Sequence, residues 1–277
     1  MKIIFAIACV YCLFIFGLFV FQRSLMYAPD ISRPNPSDRA DVVTVDTADN
    51  ISITSSFISA PVKARKTLVF FHGNAGNHGY RAYKAVPYVG AGYDVLLAEY
   101  RGYGGNAGHP SEQGLYSDAR AQIKFIIEKK GVLEEQIILY GESIGSGVAV
   151  QMATEYPDVH ALILETPFSS MVELASAKYS FAPVGLLLKD RYMSIDKISS
   201  LGMPVFIGHG KLDQTVPYSS AQKLYERARG NKNFVSYDLG GHNNLYDFGF
   251  ADHVLDFLSG IPQNNIDNKP IISNQME

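Results

Sequence analysis

The stretch Ile137-Ile138-Leu139-Tyr140-Gly141-Glu142-Ser143-Ile144-Gly145-Ser146-Gly147 constrains the fold more than any other part of the chain. Four apolar residues read as a buried strand, and a Gly-x-Ser-x-Gly turn leads from them into small residues that open a helix. In that helix Ile144, Val148 and Met152 stand four apart on one apolar stripe. Gly145, Gly147 and Ala149 are expected to let it lie close to a sheet. A serine at such a sharp strand-to-helix elbow is presented at the end of its strand. The pentapeptide alone also fits a glycine-rich helix entry with a solvated serine, so its meaning depends on partners elsewhere.

Short apolar runs alternate with amphipathic ones on both sides of this elbow. Val42 to Val45 and Ile51 to Ile58 read as two strands joined at Ala48-Asp49-Asn50. Leu68 to Phe71, Val95 to Ala98, Ala161 to Leu164, Val205 to Ile207 and Phe234 to Tyr237 follow. Helical stretches separate them. Ala119, Ile123 and Ile127 mark one from about Leu115 to Lys130, and Ala251, Val254, Leu255 and Leu258 mark the last. Continuous apolar strands alternating with helices imply an α/β fold: a mostly parallel eight-stranded sheet with helices on both faces. Such sheets bind ligands beyond the carboxyl ends of their strands, where Ser143 lies. The long apolar stretch from Phe168 to Ile195 reads either as a small lid over that edge or as a longer surface helix.

With 277 residues, 47% hydrophobic and 18% charged, the chain can bury one full core. No linker or internal repeat divides it. A net charge of −3 leaves no electrostatic footprint for nucleic acid. Ile3 to Phe21 is uncharged and apolar, flanked by Lys2 and Arg23, and is nearly long enough to cross a bilayer. It ends in Phe-Val-Phe-Gln-Arg without a small-x-small cleavage site, so it reads as an uncleaved single-pass signal anchor rather than a signal peptide. Lys2 and the terminal amine compete with Arg23, Arg33 and Arg39, so the charges assign no membrane side to the rest of the chain. Cys9 and Cys12 both fall inside the run, where they read as small apolar residues or acylation sites rather than as a redox or metal pair. The expected organisation is a transmembrane anchor at 1–23, a Pro/Asp/Ser-rich connector at 24–41, a catalytic domain at 42–262 and a disordered polar tail at 263–277.

A serine hydroxyl needs a base to take its proton, and the base needs a third group to fix its tautomer. In sheets of this class the chain order is Ser, then Asp or Glu, then His. Asp213 stands in Gly208-His209-Gly210-Lys211-Leu212-Asp213-Gln214-Thr215-Val216-Pro217, directly after one strand, and His242 stands in Gly240-Gly241-His242-Asn243-Asn244 after the last. Ser143, Asp213 and His242 are therefore the candidate nucleophile, acid and base at one sheet edge. Glu165 is the rival acid, although the Lys211 to Pro217 loop favours Asp213. His209 precedes the acid and reads as structural. His72, His78 and His109 precede the nucleophile, while His160 and His253 fall before a strand and inside a helix. The backbone N–H groups of Ile144 and of Asn74, in Phe71-His72-Gly73-Asn74-Ala75-Gly76-Asn77, are the candidate oxyanion hole. The alternative for that loop is a plain glycine turn.

These segments resemble the alpha/beta-hydrolase superfamily, and more narrowly its membrane-anchored serine hydrolases similar to acyl-protein thioesterases and lysophospholipases. The matching segments are Gln22 to Tyr27, His72 to Asn77, Tyr100-Arg101-Gly102-Tyr103-Gly104 through Pro110-Ser111-Glu112, Gly141 to Gly145, Asp213 to Pro217 and Gly241-His242-Asn243. The resemblance implies the alpha/beta-hydrolase fold, with Ser143 as nucleophile, Asp213 as acid and His242 as base. Gly102-x-Gly104-x-x-Ala107 formally matches a dinucleotide fingerprint, but Gly108-His109-Pro110 delays the helix that would meet a pyrophosphate. No zinc-hydrolase or phosphate-loop motif is present, so neither metal nor cofactor is expected.

The expected function is cleavage of esters or thioesters through an acyl-enzyme. Its substrate would be a small-molecule or lipid-like ester, or an acylated protein, met at a membrane. A serine peptidase of the same fold and a noncatalytic membrane-bound binding protein are the alternatives. A chain beginning near Ser24 is expected to keep the triad, with the anchor supplying location.

Overall fold

The computed structural model describes residues 1–35, 40–62, 64 and 66–262, so the tail expected at 263–277 lies outside the described residues. Among these, eight strands form one sheet: β1 (Ala40–Asp46), β2 (Ser52–Ile58), β3 (Thr67–Phe71), β4 (Asp94–Ala98), β5 (Ile137–Glu142), β6 (Ala161–Glu165), β7 (Val205–Gly210) and β8 (Lys232–Tyr237). Their order is β8-β7-β6-β5-β3-β4-β2-β1. β1 and β2 form an antiparallel hairpin, β2 pairs antiparallel with β4, and every other neighbour is parallel.

The central strand β5 is buried along its whole length because helices cover both faces. After the N-terminal helix α1 (Lys2–Met26) come α2 (Ala82–Gly90), α3 (Glu112–Glu128) and α4 (Ile144–Glu155). Three short helices follow, α5 (Met171–Lys178), α6 (Val184–Leu187) and α7 (Ser194–Lys197), and then α8 (Tyr218–Arg227) and α9 (Phe250–Ser259). Side chains alternate across a strand. Ile137 and Leu139 accordingly pack with Ile123 of α3, Val148 of α4 and Leu224 of α8. Ile138 and Tyr140 pack on the other face with Tyr88 of α2 and Val254 of α9.

Local chemistry sets the boundaries. The helix expected from about Leu115 starts at Glu112, because the Ser111 side chain caps it by accepting from the Gly114 N–H at 3.1 Å. α4 does run hard against the sheet: a Cβ at Gly145 would stand 2.1 Å from the Phe71 carbonyl oxygen. Gly147 serves a different purpose from the one expected, since a Cβ there would meet the Tyr192 ring at 2.7 Å rather than a strand.

The segment from Phe168 to Ile195 is not a single long helix. Ser170 caps α5 by accepting from the Glu173 N–H, and Pro183 stands directly before α6. α1 extends to Met26, past Arg23, and among the described residues it is the one helix long and apolar enough to cross a membrane. The segment expected as a connector begins as part of the body: Ala28–Pro29 pairs in parallel with Ala75–Gly76, in the loop after β3.

Candidate active site

Ser143 adopts φ 50° and ψ −117°, a conformation side-chain-bearing residues rarely tolerate. The surroundings hold it there. Its N–H donates to the Glu165 carbonyl at 2.9 Å, and the Ser146 hydroxyl donates to its carbonyl at 2.6 Å. The side chain is thereby set off the end of β5, at the N-terminus of α4.

His242 and Asp213 arrive on the loops after β8 and β7. His242 Nδ1 lies 2.7 Å from Asp213 Oδ2, and its Nε2 lies 2.9 Å from Ser143 Oγ. A carboxylate only accepts, so Nδ1 carries the proton and Nε2 accepts from the serine hydroxyl. The other Asp213 oxygen accepts from the N–H groups of Thr215 and Val216 at 2.7 and 2.8 Å. Burial works to raise the Asp213 carboxyl, but His242 and these two donors hold it below its ordinary value. The structure thus brings the three expected side chains into one hydrogen-bonded line.

The rival acid is engaged elsewhere. Glu165 is fully buried, accepts from Lys84 Nζ at 2.8 Å on both oxygens, and accepts from the Tyr140 hydroxyl at 2.5 Å. Lys84 also donates to Glu142 at 2.9 Å, and Arg81 donates to Glu142 at 2.8 Å. Burial and the neighbouring Glu142 charge raise Glu165 despite Lys84, whereas Lys84 and Arg81 together overcome burial and lower Glu142. Arg81 reaches on to the Ala75 carbonyl at 2.8 Å, so the residue before Ser143 is tied to the loop after β3. Sequence reasoning missed Arg81 and Lys84. The available signal was a lysine four residues before Tyr88, on the apolar side of α2.

That loop is braced from beneath. Glu99 meets His72 Nε2 at 2.5 Å through one oxygen, and through the other meets the N–H and Nδ1 of His78 at 2.9 and 2.8 Å. Burial would raise the Glu99 carboxyl, but the two imidazoles outweigh it and hold it at about 2. Asn74 is pinned by its side chain, which donates to the Met26 carbonyl at 2.6 Å and accepts from the Ala28 N–H and the Tyr103 hydroxyl.

The remaining histidines stand apart from Ser143 Oγ. His209 is buried with Nδ1 3.0 Å from the Gly210 carbonyl, and burial lowers its pKa. His160 lies at the opposite end of the sheet, where burial pushes it to about 4. His109 is exposed, and His253 meets the Tyr237 hydroxyl at 3.1 Å. α3 begins only at Glu112, well beyond Gly102 and Gly104. Among the described residues no group of three or more His, Cys, Asp or Glu side chains is arranged to hold a metal.

A cavity of about 920 Å³ opens over Ser143 and His242. Met171, Leu174 and Leu187 of the Phe168 to Ile195 segment line one side, so that segment lies over the site as a lid. Leu18, Phe19 and Gln22 of α1 line another, which sequence reasoning did not anticipate.

A family model described as alpha/beta hydrolase fold matches residues 66–194. The Mycobacterium tuberculosis protein Rv2307c is 37% identical over 228 residues, covering 80% of each chain. Protein bem46 of Schizosaccharomyces pombe is 30% identical over 261 residues, covering 87% of each. Human alpha/beta hydrolase domain-containing protein 17B is 29% identical over 231 residues, covering 80% of this chain and 76% of that protein. Among solved structures, the Pyrococcus furiosus esterase Pf2001 superposes with a TM-score of 0.69 at 19% identity, over 84% of this chain and 98% of that one.

Proposed function

Since the chain belongs to the alpha/beta hydrolase family, we propose that it is a membrane-anchored serine hydrolase that cleaves carboxylic esters or thioesters through an acyl-enzyme. One observation carries this reading: the unbroken line from Ser143 Oγ through His242 to Asp213, at a strained elbow. His242 Nε2 takes the hydroxyl proton as Ser143 attacks the carbonyl carbon, and Asp213 stabilises the resulting imidazolium. Negative charge developing on the carbonyl oxygen meets the N–H of Ile144, at the N-terminus of α4, and the N–H of Asn74. His242 then gives its proton to the leaving alcohol or thiol. Water, activated by the same imidazole, releases the acid and restores Ser143.

An ester or thioester is favoured over a peptide by the walls of the cavity, which are largely apolar side chains. The esterase named among the structural neighbours supports the same reaction class. α1 serves as the single-pass anchor, by its length and composition.

The test is covalent labelling of the purified full chain with a serine-directed fluorophosphonate, alongside hydrolysis of matched ester, thioester and amide substrates. Labelling and ester cleavage that both vanish in Ser143→Ala support the proposal. Labelling that survives in Ser143→Ala overturns the nucleophile, and faster cleavage of the amide moves the reading to a peptidase.

A further inference from the structure

α1 is two different surfaces along its length. Up to Phe14 its side chains are exposed, although Tyr11 and Phe14 touch Phe181. From Ile15 onward one stripe turns inward: Ile15, Leu18, Phe19, Gln22 and Met26 are half-buried, at the spacing of a single helix face. This stripe lines the cavity, and its last member, Met26, also packs against the core.

Direct contacts bind α1 to the lid. The Arg23 guanidinium donates to both oxygens of Asp190 at 2.8 and 3.0 Å. The Gln22 amide donates to the Leu187 carbonyl at 3.3 Å and accepts from the Lys189 N–H at 2.7 Å. Higher up, the Tyr11 hydroxyl donates to the Phe181 carbonyl at 2.7 Å, and the Phe14 and Phe181 rings lie 5.8 Å apart.

The height of that last contact has a physical consequence. Tyr11 precedes Met26 by a rise of ~22 Å along the helix axis. The uncharged part of α1, from Ile3 to Gln22, is only ~30 Å long, the thickness of a hydrocarbon layer. A span that seats Lys2 and Arg23 at the two interfaces therefore carries Phe181 into the acyl layer. Phe181 and Leu186 are exposed in the protein, Leu186 almost fully at 87%, as suits side chains that face lipid.

We propose that the α1–lid seam between the Phe14–Phe181 and Gln22–Leu187 contacts is a lateral portal to the bilayer. The acyl chain of a membrane-resident ester passes from the lipid layer between α1 and α6 and lies along Ile15, Leu18 and Phe19, with its carbonyl at Ser143. The wall from Ile15 to Met26 is ~16 Å long, which matches an extended chain of roughly a dozen carbons. α1 is then a specificity-determining wall of the site as well as an anchor. Lipid and an apolar wall are similar solvents for a hydrocarbon, so the groove selects by length and shape more than by hydrophobic transfer. The inference rests on the serine-hydrolase reading for its chemistry.

The experiment uses the full chain in lipid nanodiscs. The protein has no tryptophan, so Leu186→Trp introduces a single fluorophore at the lid tip. Bilayers with brominated acyl chains are expected to quench it by more than half. Leu133→Trp, in the exposed loop before β5, is expected to stay unquenched. Absence of quenching at Leu186→Trp overturns the portal whatever the activity.

The second measurement is the ratio of kcat/KM for hexadecanoyl and butanoyl esters. Leu18→Trp, or Ile15→Trp if the first does not accumulate, is expected to lower that ratio about tenfold, with fluorophosphonate labelling reporting that the variant is folded. An unchanged ratio overturns α1 as a wall. Loss of all ester hydrolysis and all labelling in the unaltered chain overturns the serine-hydrolase reading and the substrate path with it. Quenching at Leu186 reads lid immersion separately.

Discussion

The Asn74 side-chain amide donates to the main-chain carbonyl of Met26 at 2.6 Å, joining the loop after β3 to the last turn of α1. Its oxygen accepts from the Ala28 N–H at 3.1 Å and the Tyr103 hydroxyl at 3.0 Å. The side chain is consumed in holding the loop, which under the proposed mechanism leaves the backbone N–H to meet a reacting oxygen.

Asn74→Ala removes all three bonds, each contributing ~1 kcal/mol net. The expected result is a fall in kcat of roughly tenfold or more on a short ester, since about 1.4 kcal/mol of barrier is tenfold in rate. Asn74→Asp, which keeps the acceptor, should fall between. Measuring kcat and Tm together checks this, and a lowered Tm with unchanged kcat would refute a positioning role.

The acid is tested by ranking two carboxamide substitutions. Asp213→Asn presents His242 with a donor where it needs an acceptor, and kcat should drop by about 10⁴-fold. Glu165→Gln should cost kcat far less while lowering Tm, because Lys84 loses part of its buried countercharge. Steady-state kinetics on both purified variants decides, and the reverse ranking would move the acid to β6.

Glu99 makes stability depend on acid. Its carboxyl is held at about 2 against an ordinary 4.5. A folded-state value below the unfolded one stabilises the protein fully above pH 4.5, and the stabilisation is lost as pH falls from there through 2. The shift corresponds to on the order of 3 kcal/mol. Unfolding of the unaltered chain and of Glu99→Gln should therefore differ widely at pH 6 and draw together as pH falls from 4.5 towards 2. A gap that stays constant with pH would exclude this origin.

Arg23 and Asp190 hold the lid to α1. Asp190 is buried, whereas the Arg23 side chain is half exposed, so the pair is screened from one side only. Arg23→Ala leaves the Asp190 carboxylate facing Tyr27 alone, and should loosen the lid by about 1 kcal/mol. Limited proteolysis within residues 168–195 is expected to quicken severalfold, with Ser143 labelling retained. Unchanged cleavage there would mean that the lid is held by its apolar contacts.

The placement of Ser143, Asp213 and His242 at one sheet edge was legible because each comes soon after a short run rich in apolar residues. Burial on both faces demands that composition of β5 and β7, the edge strand β8 shows it only in part, and in a parallel sheet residues that follow strands gather at one edge. The other strands were legible as short runs rich in apolar and β-branched residues, and the flanking helices by apolar positions three and four apart. Strand order was not, since β3 pairs with β5 across the whole of β4 and its helices. Only the packing of α2 against the sheet brings Lys84 to Glu165, which at the sequence level is simply another acid at a strand end. α1 marks the limit most clearly. A side chain facing lipid and one facing an apolar pocket obey the same hydrophobic rule, so the positions from Ile3 to Phe21 read alike. The lid packed along Ile15 to Met26 is what sets that stretch apart from the exposed turns before it.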